Sequence, residues 1–243
     1  YDNGSENIFE NVNFSFDTNW KIGLIGRNGR GKTTFLNLLM KKFTYKGKIT
    51  GTTHFDYFPY EVKNKQKLVI DLIPEIYSNF ELWEIIKKMM ELELEEDCLY
   101  QPYETLSNGQ QTKLLLSILF AKENNFILID EPTNHLDSFS KECVKKFLNK
   151  QKGFIVVSHD RDFIDSCVNY IISINKNDIE IQKGNFSSWW ENTKKQEHFE
   201  LMQNEKMKKE IYRLEESSKQ TQDWSDKVEK TKNGTRIAGL KSD

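Results

Sequence analysis

The segment Gly26-Arg27-Asn28-Gly29-Arg30-Gly31-Lys32-Thr33-Thr34 limits what this chain can fold into more than any other. It fits the pattern GxxxxGK[ST], and its surroundings match: an apolar run at 22–25 reads as a buried strand, and apolar residues at 32–42 recur at helical spacing. A strand, a glycine-rich turn and a helix start together make a phosphate cradle. Glycines let the backbone wrap an anion, and the free amides of a helix start face it. Lys32 balances phosphate charge, and the Thr33 hydroxyl is placed for Mg²⁺.

Further apolar runs at 127–129 and 155–157 suit buried parallel strands, and helical patterns at 110–122 and 141–150 separate them. That alternation predicts a layered α/β domain. Alternating Val12, Phe14 and Phe16 predict a half-buried strand near the start. Residues 66–104 break the rhythm and read as two or three helices, around 68–77 and 80–96, forming a helical subdomain. After a hairpin-like pair at 171–174 and 179–182, a long polar helix is expected over about 186–221. Its apolar positions Phe199, Met202, Met207, Ile211 and Leu214 form a narrow stripe of the coiled-coil kind. Gly234 and Gly239, with Lys, Arg and Asn around them, read as a turn or flexible basic segment.

The run 126–129 ends in Asp130-Glu131, which places two carboxylates at the edge of a parallel sheet where ligands collect. Asp130 is the candidate carboxylate to hold Mg²⁺ through water. Glu131 is the candidate for polarising an attacking water. Ser107 and Gln110 form an S-x-x-Q capping box before an apolar helix. His159 follows the strand at 155–157, again at a ligand-facing edge.

With 243 residues the chain holds one sizeable α/β domain and an extension. Net charge is −2, with 12 basic and 10 acidic residues in 194–243, so neither part is strongly basic. No run approaches the ~20 apolar residues that span a bilayer, and no basic-then-apolar leader is present. A soluble cytoplasmic location without membrane insertion is expected. Cys98, Cys143 and Cys167 lack a CxxC pairing and read as reduced structural thiols. Tyr1 and Lys241-Ser242-Asp243 read as the ends of an excised piece of a longer protein.

Leu106-Ser107-Asn108-Gly109-Gln110 resembles the ABC ATPase signature. Together with the phosphate loop, Asp130-Glu131, Thr133-Asn134-His135-Leu136-Asp137 and Ser158-His159-Asp160, it occurs in the order seen in that family. The resemblance covers residues 1 to about 190 and implies a P-loop NTPase fold of ABC type: a mixed sheet with an antiparallel β subdomain and a helical signature subdomain at about 66–122. A long helical arm follows. The resemblance also implies ATP and Mg²⁺ as cofactors. The ATP-binding set would be Tyr1, Gly26, Asn28, Gly29, Gly31, Lys32, Thr33 and Thr34, with Thr33 and Asp130 at the metal. Glu131, His159 and Lys32 would be catalytic. Ser107, Asn108, Gly109 and Gln110 would close over ATP held by another domain, and Asp137 would be the D-loop acid.

The run after Glu131-Pro132 looks like the ABC-F class, tandem ATPases that act on ribosomes. The segments 8–14, 26–35 and especially 224–234 and 239–241 are similar to antibiotic-resistance members of the Vga and Lsa type. That implies a partner ATPase domain in the same protein and a ribosome with which 191–243, as the start of an interdomain linker, engages at the exit-tRNA site. Lys227, Lys230, Lys232 and Arg236 are the candidate rRNA contacts. Protection from lincosamide, streptogramin A or pleuromutilin drugs is the implied function. A membrane-transporter ATPase subunit and an ABC-F translation factor without a resistance role are the alternatives. Two positions depart from the pattern: Tyr60 stands where many ABC domains carry glutamine, and Asn108 replaces the first signature glycine. The isolated chain is expected to bind ATP, hydrolyse it poorly, and be able to form a nucleotide-bridged homodimer.

Overall fold

The computed structural model describes residues 8–10, 12–27, 29–175 and 179–238, with backbone alone at 223, 226 and 229–238. Two units are present, divided between Trp189 and Trp190.

The first is built on a six-stranded sheet. Strands β1 (Lys21–Gly26), β2 (His54–Phe58), β3 (Asn125–Asp130), β4 (Phe154–Val157), β5 (Tyr170–Ile174) and β6 (Ile179–Lys183) lie in the order β2-β3-β4-β1-β5-β6. All neighbours run parallel except β5 and β6, which makes the sheet mixed. The continuous apolar runs are what a strand covered on both faces requires.

Side chains alternate between the two faces, and each face has its own helices. On one, Ile22, Leu24, Leu128, Ile155 and Ile172 meet Phe35, Leu36 and Leu39 of α1 (Lys32–Leu39). On the other, Ile25, Ile127, Ile129, Phe154 and Val156 meet four further helices: α2 (Val69–Ile76), α4 (Asn108–Ala121), α5 (Ser138–Lys150) and α6 (Arg161–Cys167). Helix α3 (Leu82–Glu91) adds Ile85 and Met89 to that second core.

Several expected elements differ at their ends. The stretch 12–16 alternates half-buried and exposed as predicted, with Phe14 against Phe35 and Phe16 against Phe126, yet among the described residues it forms no ladder. The helix expected over 80–96 stops at Glu91, where Glu93 turns left-handed (φ 54°) and the Leu94 N–H closes on Met89 O at 3.0 Å. Two short 3₁₀ turns, Glu96–Tyr100 and Tyr103–Thr105, then lead into α4. Cys98, Cys143 and Cys167 are free and buried.

Helix α7 (Phe186–Ala238) begins in the first unit, where Phe186 and Trp189 pack on the core and Asn185 Oδ1 accepts the Ser188 N–H at 3.1 Å. It runs through Gly234 to Ala238, so the turn expected at Gly234 does not occur there. One glycine inside a helix costs only about 1 kcal/mol relative to alanine and does not by itself end one. Gly239 lies outside the described residues. In the second unit Phe199, Met202, Met207, Ile211 and Leu214 are all exposed.

Candidate nucleotide site

Strand β1 delivers the chain to Gly26, and the turn beyond it needs glycine. Gly29 (φ 78°) and Gly31 (φ 92°) are left-handed, and a Cβ at Gly26 would stand 2.9 Å from Ile174 O across the sheet. Gly31 occupies the N-cap position of α1, and no side chain caps the helix, so its first amides are left to the loop. The Lys32 ammonium folds over that loop and donates to Gly26 O at 2.8 Å and Arg27 O at 3.5 Å. Thr33 is exposed and Thr34 half-buried. Tyr1 and Asn28 lie outside the described residues.

Two strands away, β3 ends at Asp130. Its Oδ2 accepts the Tyr57 hydroxyl at 2.8 Å. Burial first, and then the carboxylate itself, push the Tyr57 phenol well above its ordinary range, so it remains an un-ionised donor. Glu131 leaves the strand with a positive φ of 51°, a conformation that few non-glycine residues adopt and that gathers at working sites. Its backbone N–H still bonds Val157 O at 2.8 Å.

The Glu131 carboxylate faces the loop after β4. Oε2 accepts the His159 N–H at 3.2 Å, while Oε1, buried and without a hydrogen bond, lies 3.4 Å from His159 Nε2. Desolvation raises the Glu131 pKa, outweighing the opposite pull of His159 and Lys32. The His159 loop is fixed from behind: Thr133 and Ser158 hydroxyls meet at 3.0 Å, and Ser158 Oγ accepts the Asp160 N–H at 3.1 Å. Asp160 caps α6 through the Phe163 N–H at 3.1 Å and meets Lys141 at 3.0 Å. Burial works against its charge, but those two partners prevail and hold its pKa low.

The signature residues gather elsewhere. Ser107 and Gln110 form the full capping box: the Gln110 N–H donates to Ser107 Oγ at 3.2 Å, and the Ser107 N–H to Gln110 Oε1 at 2.9 Å. A Cβ on Gly109 would meet Ser140 Oγ at 3.1 Å, so glycine lets α4 lie close to the start of α5. There Asp137 caps α5 through the Ser140 N–H at 2.8 Å, and that contact holds its carboxyl below the usual range. Lys32, Asp130, Glu131 and His159 thus share one strand edge, whereas Ser107–Gln110 and Asp137 share another location. Helix α1, which begins at Lys32, covers one face of the sheet, and α4 and α5, which begin beside Ser107–Gln110 and Asp137, cover the other.

Tyr60 is half-buried against the second core. The residue that sequence reading missed is Tyr57, because only the β2–β3 register, with Tyr57 beside Leu128, brings its hydroxyl to Asp130.

The cradle fits a nucleotide phosphate. Left-handed glycines, uncapped amides and a lysine resting on loop carbonyls are groups that an anion would engage. No cluster of three or more His, Cys, Asp or Glu among the described residues could hold a metal alone, so a hard cation here would share Asp130 and Thr33 with phosphate oxygens and water.

The family model described as ABC transporter matches residues 9–134, just over half the chain. The chain belongs to the ABC family. This ABC domain is 31% identical over 186 residues to the ribosome protection protein VmlR of Bacillus subtilis, covering 74% of this chain and 34% of the relative. It is 29% identical to ABC transporter F family member 2 of Arabidopsis thaliana, covering 76% and 28%. It is also 34% identical to the ATP-binding protein Uup-like of Haemophilus influenzae, covering 60% and 34%. The ABC domain therefore spans about a third of the length of these relatives, and its kinship lies with ABC-F-like proteins.

Two solved structures share the fold. One is an inward-facing putative metal-chelate type ABC transporter, with TM-score 0.62, 22% identity and coverage of 72% and 76%. The other is a dimeric ATP-binding cassette in a post-hydrolysis state with ADP and Pi, with TM-score 0.60, 21% identity and coverage of 75% and 94%. No helix among the described residues is long and apolar enough to cross a membrane.

Proposed function

We propose that this is the ATP-binding and ATP-hydrolysing N-terminal domain of a ribosome-associated ABC-F protein that protects the large ribosomal subunit from lincosamide, streptogramin A or pleuromutilin drugs. Residues 1–190 are the ABC domain, with a helical subdomain at about 66–122, and 191–243 begin the interdomain linker. The observation that carries the reading is α7, a 53-residue helix whose apolar stripe is exposed. The alternative of a transporter ATPase subunit gives this arm no role.

Gly26, Gly29, Gly31, Lys32, Thr33 and Thr34 bind the ATP phosphates, with Asn28 and an adenine-stacking Tyr1 completing the set. Asp130 and Thr33 would hold Mg²⁺, which would supply charge neutralisation at the phosphates. Glu131 orients water and accepts its proton, and a desolvated, hydrogen-bond-poor Oε1 is suited to that work. His159 touches the transferred phosphate. Because α1 and α4 cover opposite faces, Ser107, Asn108, Gly109 and Gln110 serve a site on a second ABC domain, with Asp137 reporting between the two. The chain alone hydrolyses ATP poorly for the same reason, and a nucleotide-bridged homodimer of it stands in for a pair of ABC domains.

The deciding experiment pellets ribosomes with the full-length protein carrying Glu131→Gln and the equivalent change in its second domain. ATP-dependent co-sedimentation is expected, and its absence sinks the ribosomal reading. Drug susceptibility of a host expressing the complete gene then separates protection from general translation control.

A further inference from the structure

We propose that Tyr57 is a positioning residue for Asp130: its hydroxyl fixes one carboxylate oxygen so that the other is presented to a nucleotide-bound divalent cation. This rests on the reading of Asp130 as the cation's carboxylate. Tyr57 pairs with Leu128 across parallel strands, so Tyr57, Leu128 and Asp130 share the sheet face that α1 covers. From there the phenol reaches Asp130 Oδ2 at 2.8 Å, and among the described residues no hydrogen bond engages Oδ1.

The chemistry of the donor matters. A lysine at this place would cancel the charge that a cation needs, whereas a phenol orients the carboxylate and leaves that charge in place. Magnesium demands near-ideal octahedral geometry, so a carboxylate that swings freely forfeits affinity in ordering itself.

Tyr57 is itself held. Lys42 Nζ stands over its ring, 5.5 Å from the centroid, and the Lys42 N–H donates to Asn37 O at 2.9 Å. Lys42 therefore sits at the end of the helix whose first turn carries Thr33. One segment thus positions both candidate metal groups, Thr33 directly and Asp130 through Tyr57.

The test measures affinity of the chain for a fluorescent ATP analogue, with Mg²⁺ and with EDTA, and Mn²⁺ uptake by electron paramagnetic resonance in the presence of ATP. Tyr57→Phe keeps the ring under Lys42 and removes only the hydroxyl. It is expected to reduce the metal-dependent gain in affinity about three- to tenfold, with affinity in EDTA unchanged within about twofold. A gain equal to or above wild type overturns the proposal, as does an equal loss in EDTA, which would mark a merely structural role. Asp130→Asn separates the two levels. If it abolishes the gain while Tyr57→Phe does not, only Tyr57 is wrong. If Asp130→Asn keeps the gain, or wild type shows none, the reading of Asp130 fails and Tyr57 falls with it.

Discussion

Helices α1 and α4 both start beside candidate phosphate-contacting residues, but they start differently. The start of α1 is open: no side chain among the described residues caps it, and its amides look into a loop over which the Lys32 ammonium folds. The start of α4 is closed, because Ser107 and Gln110 satisfy each other's backbone groups before any ligand arrives. An open start is poor as a helix end and good as an anion site, whereas a closed one is stable by itself and presents only outward hydroxyl and glycine surface. The first suits a nucleotide held permanently by its own domain. The second suits the proposed role of a surface that meets a second ABC domain and must stay intact without it.

The largest expected effect that would break this contrast is on turnover. Glu131→Gln in the two-domain protein should slow single-turnover hydrolysis about 10²- to 10⁴-fold without loss of ATP affinity. A rate within threefold of wild type would remove Glu131 from the chemistry. Next, Lys32→Ala should weaken ATP binding to the chain about 30-fold or more, through loss of a charged phosphate partner. Calorimetric titration reads that change directly.

Ser107→Ala should do the reverse. It should lower stability by about 1 kcal/mol, seen in urea unfolding, and leave ATP affinity of the monomeric chain unchanged. A fall in monomer affinity would mean that α4 serves its own site. The smallest effect concerns pH. The folded-state pKa of Glu131 is raised, so the unfolded chain loses that proton first as pH rises, and ionisation of the buried carboxylate destabilises the fold. Glu131→Gln should therefore raise the melting temperature at neutral pH. The gain should vanish below the ordinary carboxylate range, where both states carry the proton.

Much of this was legible in the residues. Continuous apolar runs marked the buried strands, and glycine spacing before Lys32 marked a loop that only left-handed residues can form. The capping box at Ser107 was readable because it depends on neighbours three apart. What was not legible depends on contacts across strands or on backbone handedness. Tyr57 meets Asp130 only through the β2–β3 register, which periodicity does not reveal. The alternation of Val12, Phe14 and Phe16 correctly assigned their buried side, but a pattern of side chains cannot say whether a neighbouring strand supplies hydrogen bonds. The long helix passes Gly234 because glycine makes ending a helix easy without making it obligatory.

The left-handed backbone at Glu131 has one more consequence. Glycine would occupy that conformation freely, while an L-residue with a side chain gives up about 1–2 kcal/mol to hold it. Selection for thermal robustness alone would thus favour replacing the very carboxylate on which the proposed chemistry depends. If Glu131 has the proposed role, variants recovered from such a screen should include hardier, inert proteins altered at this position.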